Sequence, residues 1–145
     1  MAGKLLQNIG SQIKITANIM SSEHNKYLNE YDISSEQGML LKFVYDFPGS
    51  TQTQLAELLY KDKTTITRMI DVLEKKGRVY REVSQKDRRV YNIYLTETTK
   101  QEVEAIAPVF EKIDRELREM ISEKEYENTI EVLKKIQEYY RRLNK

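Results

Sequence analysis

Two short stretches hold the side chains of this chain best suited to binding chemistry. Thr64, Thr67 and Arg68 are spaced so that a helix turns them to one side, with Lys63 and Thr65 flanking them. Lys86, Asp87, Arg88 and Arg89 follow one another without a break. Hydroxyls donate single hydrogen bonds, and a guanidinium can donate two parallel ones to an anion or a flat acceptor edge. Bond-making chemistry finds little to work with. The chain has one histidine, no cysteine and no glycine-rich phosphate loop, so no catalytic or metal-binding residues are assigned. The acids between Glu97 and Glu131 alternate with Lys and Arg and read as solvated ion pairs. His24 falls in an apolar stripe, where a packed or interface histidine is expected.

Charge is distributed unevenly. Of 24 Lys/Arg and 23 Asp/Glu in the chain, residues 60–90 hold ten basic and five acidic side chains. The net charge of +1 therefore hides a basic centre between acidic flanks, the footprint of a polyanion-binding segment.

The elements that must position these residues follow from period and punctuation. Residues 4–31 predict one long helix: Leu5, Ile9, Ile13, Ala17, Met20, His24, Tyr27 and Tyr31 recur at helical spacing. Ser34 to Gln37 is a capping box that opens a second helix, and Pro48-Gly49 closes it. Thr51 to Gln54 is another box, opening a short helix with Leu55, Ala56, Leu58 and Leu59 inside. Tyr60-Lys61 then turn the chain, and Asp62 caps the next helix. In that helix Ile66, Met69, Ile70 and Leu73 gather on one face, opposite Thr64, Thr67, Arg68, Asp71 and Lys75. Gly77 ends it in a left-handed conformation. Val79 and Val83, then Tyr91, Ile93 and Leu95, alternate as two strands around a polar tip, Ser84 to Arg89. Thr96 caps a helix to about Ile121, with Pro108 inside it removing a hydrogen bond and kinking it. A third box, Ser122 to Glu125, opens the last helix.

The fold class expected is mainly α with a small β-hairpin wing: a winged helix-turn-helix core flanked by long terminal helices. The divisions are 1–32 for an N-terminal dimerisation helix, 33–96 for the winged module and 97–145 for C-terminal dimerisation helices. The terminal stripes are too long for a small module to cover, which leaves them to one another and to a second copy of the chain. No run reaches the roughly 18 apolar residues of a membrane span. No secretion signal is read, so a cytoplasmic protein without a membrane partner is expected.

Assembled in this order, the residues resemble the MarR family (multiple antibiotic resistance regulators). The likeness rests on Thr51 to Ala56, Asp62 to Arg68, Leu73 to Gly77, Asp87-Arg88-Arg89 and Leu95-Thr96. It implies a homodimeric, sequence-specific regulator of transcription that binds double-stranded DNA at a pseudo-palindromic operator, most often as a repressor. It implies no cofactor, and release of DNA by a small phenolic or aromatic acid as effector, whose binding residues are not assigned. Oxidation sensing through cysteine is excluded. By the resemblance and the face assignment together, Lys63, Thr64, Thr65, Thr67 and Arg68 read the major groove, and Thr53 and Gln54 contact phosphate. Arg89, held by Asp87, reaches the minor groove beside Lys86 and Arg88. Arg78, Tyr80 and Thr99 depart from the pattern, standing where the family has an apolar residue, Glu and Gly. Two alternatives stay open: a winged-helix module for protein contact, and an activator, since operator position decides that sign.

Overall fold

The structure is a computed structural model that describes residue 4 and residues 6–144. Leu5, placed above in the N-terminal stripe, lies outside the described residues. The chain divides into two compact units, Met1–Ile106 and Ala107–Lys145.

In the first unit, α1 spans Ile9–Leu28 and ends in a single 3-10 turn, Asn29–Tyr31. The unbroken helix expected over 4–31 is therefore shorter. Asn8 starts it as an N-cap, its side-chain oxygen accepting the Ser11 N–H at 2.8 Å. Asp32, in the left-handed region at φ 53°, turns the chain after it. Helix α2, Ser35–Asp46, opens at Ser34 with both bonds of the capping box formed, and so does α3, Gln52–Leu59, at Thr51. Helix α4, Lys63–Lys75, starts at Asp62, whose carboxylate accepts the Thr65 N–H at 2.7 Å. Tyr60, at φ 51°, makes the turn between α3 and α4. Leu58 departs from its expected place inside the short helix: it stands half exposed, because α3 turns only Leu55 and Ala56 fully inward.

The core of this unit is built from Leu40, Leu41 and Val44 of α2, Leu55 of α3 and Ile66, Ile70 and Leu73 of α4, all 0–1% exposed. It is closed by a sheet of order β1-β3-β2: β2 is Val79–Val83, β3 is Tyr91–Leu95, and β1 is only Ser50–Thr51. The hairpin was expected and β1 was not. Its two residues pair with Ile93 and Asn92 across a large gap in sequence, a register no local pattern announces. Val79, Ile93 and Leu95 supply the buried face of the sheet.

Gly77 follows α4 at φ 71°, and the Arg78 N–H closes the helix end on the Leu73 carbonyl at 2.9 Å. A Cβ at Gly77 would meet nothing within 4 Å. Gly77→Ala is therefore expected to cost only the backbone strain of the left-handed region, about 1–2 kcal/mol. A denaturant midpoint equal to the parent's would contradict that.

Helix α5, Glu97–Met120, runs on through Pro108. Thr96, expected to cap it, accepts the Lys100 N–H on its carbonyl at 3.0 Å, and its hydroxyl donates to the Gly77 carbonyl at 2.8 Å and lies 2.9 Å from the buried Thr99 hydroxyl. In the second unit α6 covers Glu123–Leu143 behind the Ser122–Glu125 capping box, and Arg118 stacks over the Tyr126 ring at 3.9 Å. Large apolar side chains remain uncovered in both units. Ile9, Ile13, Ile19, Met20 and Tyr27 stand exposed on α1, and Ile130, Tyr140 and Leu143 on α6.

Candidate nucleic-acid interface

Helix α4 divides as its period demands. Ile66, Ile70 and Leu73 are buried and Met69 is half-buried, while Lys63, Thr64, Arg68, Asp71 and Lys75 are exposed. Thr65 and Thr67 are half-buried at the edge between the faces. Thr67 has a partner not anticipated from the sequence: its hydroxyl accepts a bond from the Gln52 amide at 2.9 Å, which ties the first helix of the helix-turn-helix to the second. Gln54 is committed as its capping box requires. Its side-chain oxygen accepts the Thr51 N–H at 2.9 Å, so only its amide nitrogen stays available, while Thr53 beside it is exposed.

The acids of α4 are neutralised from the wing. Arg81 of β2 reaches back to Asp71 at 2.6 Å and to Glu74 at 2.8 Å. Asp71 was the carboxylate that could have captured Arg68 on its own helix; with Asp71 taken, Arg68 forms no ion pair among the described residues. The same holds for Lys63, Lys86 and Arg88. By contrast Lys61, Lys76 and Arg78, on other sides of the module, pair with Glu36, Asp32 and Glu102. Within the site, Lys63, Arg68, Lys86 and Arg88 thus keep their charge unmatched by an ion pair among the described residues, while Arg89 is paired with Asp87.

At the wing tip Asp87 both shapes the turn and grips Arg89. One oxygen accepts the Arg89 N–H at 3.0 Å and its Nε at 3.1 Å, and the other accepts a terminal nitrogen at 3.1 Å. The Arg89 side chain is nonetheless 89% exposed, aimed but not buried. These bonds to Arg89 hold the Asp87 carboxyl below the usual carboxylate range. A depressed pKa means the pairing is fully present above the ordinary aspartate range and is lost as pH falls through the lowered value. Asp62 is lowered for a related reason, the Thr65 backbone amide at the helix start.

The two stretches meet at an open cleft of about 760 Å³ lined by Thr53, Lys63, Thr67 and Arg89, together with Gln52 and Arg81. Four of the residues singled out from sequence share it. Thr64, Thr65, Arg68, Gln54, Lys86, Asp87 and Arg88 are not among its lining. Gln52 and Arg81 were missed as lining residues. Period-two alternation from Val79 places Arg81 on the inner face of β2, a signal that was there to read; the reach of Gln52 to Thr67 had none.

Comparison with known proteins follows the same outline. Residues 33–91 match the sequence profile of the MarR family, covering α2 to the first residue of β3. Over this segment the chain is similar to the MarR family. It is 27% identical over 105 residues to the transcriptional regulator HosA of Escherichia coli O157:H7, covering 72% of this chain and 78% of HosA. Among solved structures it resembles the S. aureus MepR–DNA complex (TM-score 0.84, 28% identity, 92% of this chain and 98% of that one). It also resembles the transcriptional regulator SlyA (TM-score 0.84, 26% identity, 92% and 94%). By this likeness α4 corresponds to the recognition helix and the β2–β3 hairpin to the wing of a winged-helix protein. Among the described residues no helix is long and apolar enough to cross a membrane.

Proposed function

We propose that this chain is a cytoplasmic, effector-responsive repressor that binds a pseudo-palindromic operator as a homodimer. The coarser statement is plain: it is a DNA-binding regulator of transcription and not an enzyme. One observation supports the finer reading of the site best. The recognition helix and the wing border one cleft, and Lys63, Arg68, Lys86 and Arg88 take part in no ion pair among the described residues while the acids Asp71 and Glu74 are neutralised by Arg81. In this reading Thr64, Thr65, Thr67 and Arg68 meet base edges, and Thr53, the Gln54 amide, Lys63, Lys86 and Arg88 meet phosphates. Arg89, oriented by Asp87, enters the minor groove. Two copies place two recognition helices about one helical turn apart on DNA. The exposed apolar side chains of α1 and α6 are the surfaces a second copy would cover. A small phenolic or aromatic acid that binds the released shape better than the DNA-bound one would act as effector.

The test is to let the purified protein select duplexes from a random-sequence pool and to titrate the winner against salt. Arg89→Ala is expected to weaken binding and to flatten the log–log salt slope by about 0.9, the share of one cation that no longer displaces counterions from the DNA. An unchanged slope and affinity would remove Arg89 from the interface. A parent protein that selects nothing even at low salt would favour the protein-contact alternative.

A further inference from the structure

Arg78 is a charged side chain set into the base of the wing, and its surroundings assign it a task separate from touching DNA. Its side chain is only 13% exposed. One terminal nitrogen donates to the Glu102 carboxylate in α5, the other to the Tyr31 carbonyl in the turn after α1, and Nε is buried without a partner. Its own N–H closes α4 on Leu73, and its carbonyl accepts the Thr96 N–H at 3.0 Å. Next to it Lys76 reaches Asp32 at 3.0 Å, a second tie from the end of α4 to the same turn. A single residue thus links the end of the recognition helix, the start of the wing, the turn after α1 and α5.

We propose that Arg78 is a positioning residue whose pair with Glu102 sets the spacing at which a dimer presents its recognition helices. The inference rests on the DNA-binding reading above. An apolar residue in this place would let α5 slide past the wing base, because dispersion contacts have little direction. A half-buried guanidinium cannot slide. Its charge is tolerated only while paired, and moving Glu102 away leaves that charge desolvated and uncompensated. The lock therefore favours one register of the wing base against α5, and a discrete register becomes a discrete half-site spacing.

The experiment uses the duplex selected by the parent protein and a version with one base pair inserted between its half-sites. Both are titrated with the parent, Arg78→Met and Glu102→Gln, and each protein is melted in parallel. Both variants are expected to remain folded and to lose about 5–150-fold in affinity for the selected duplex. They are also expected to suffer a smaller penalty from the inserted base pair, and to keep the parent's salt slope because no phosphate contact is gone. Parent-like affinity and penalty in both variants would overturn the proposal. So would a flatter slope in Arg78→Met, which would make Arg78 a phosphate contact, or a parent-like Glu102→Gln beside a weakened Arg78→Met. Glu102→Gln keeps the shape and an acceptor, so it carries the test if Arg78→Met fails to fold. A parent that selects no duplex fails the DNA-binding reading itself, a result distinct from all of these.

Discussion

Arg68→Ala is expected to weaken binding to the selected duplex by about 1–3 kcal/mol, the range of a good bidentate contact to a base edge. It should do so at one position of each half-site. Arg68 is exposed near the middle of α4, and Asp71, the acid that could have occupied it, is held by Arg81 at 2.6 Å. Removing Arg68 therefore breaks no internal ion pair, and the melting temperature should hardly move. The two readouts together are diagnostic. Specificity should relax at the position Arg68 reads, while binding to unrelated duplex falls only by the share of one charge. An equal loss on every sequence would instead make Arg68 a phosphate clamp.

Ile70→Ala acts on the opposite face of the same helix. Ile70 is fully buried, one turn on from Ile66 and beside Leu73, and truncating it leaves a cavity in a core that α2, α3 and the sheet hold in place. A loss of about 2–5 kcal/mol in unfolding free energy is expected. Alanine is the best helix former, so the loss belongs to packing and not to helix propensity. The exposed side chains of α4 keep their positions, so the affinity of the folded fraction should stay at the parent's value even as the denaturant midpoint drops. A weakened affinity at low temperature, where the variant is folded, would show that core packing tunes the angle of the recognition helix.

What could be read from the sequence was what is encoded within a few residues. Ser34, Thr51, Asp62 and Ser122 each announce a helix start because a cap and its partner lie three residues apart, and each forms that bond. The split of α4 into buried Ile66, Ile70 and Leu73 against exposed Thr64 and Arg68 follows from period alone. The grip of Asp87 on Arg89 was legible for the same reason. Hidden features were those whose partners sit far along the chain: β1 against β3, Gln52 on Thr67, and Arg81 on Asp71 and Glu74. Arg78 was legible as an oddity, but Tyr31 and Glu102 could not be named as its partners, since neither spacing nor composition ties them to it.

The wing tip is closed at its base by the Ser84 N–H donating to the Val90 carbonyl at 2.8 Å, beyond the last paired residues of β2 and β3. The strands below therefore keep their register whatever the tip contains. Lengthening a loop whose ends are already tied costs little closure entropy, about 0.6 kcal/mol for each doubling. The reach of Arg89 is thus a dial separate from the fold: insertions at the tip can extend or retract it while the hydrophobic centre and the recognition helix go on undisturbed.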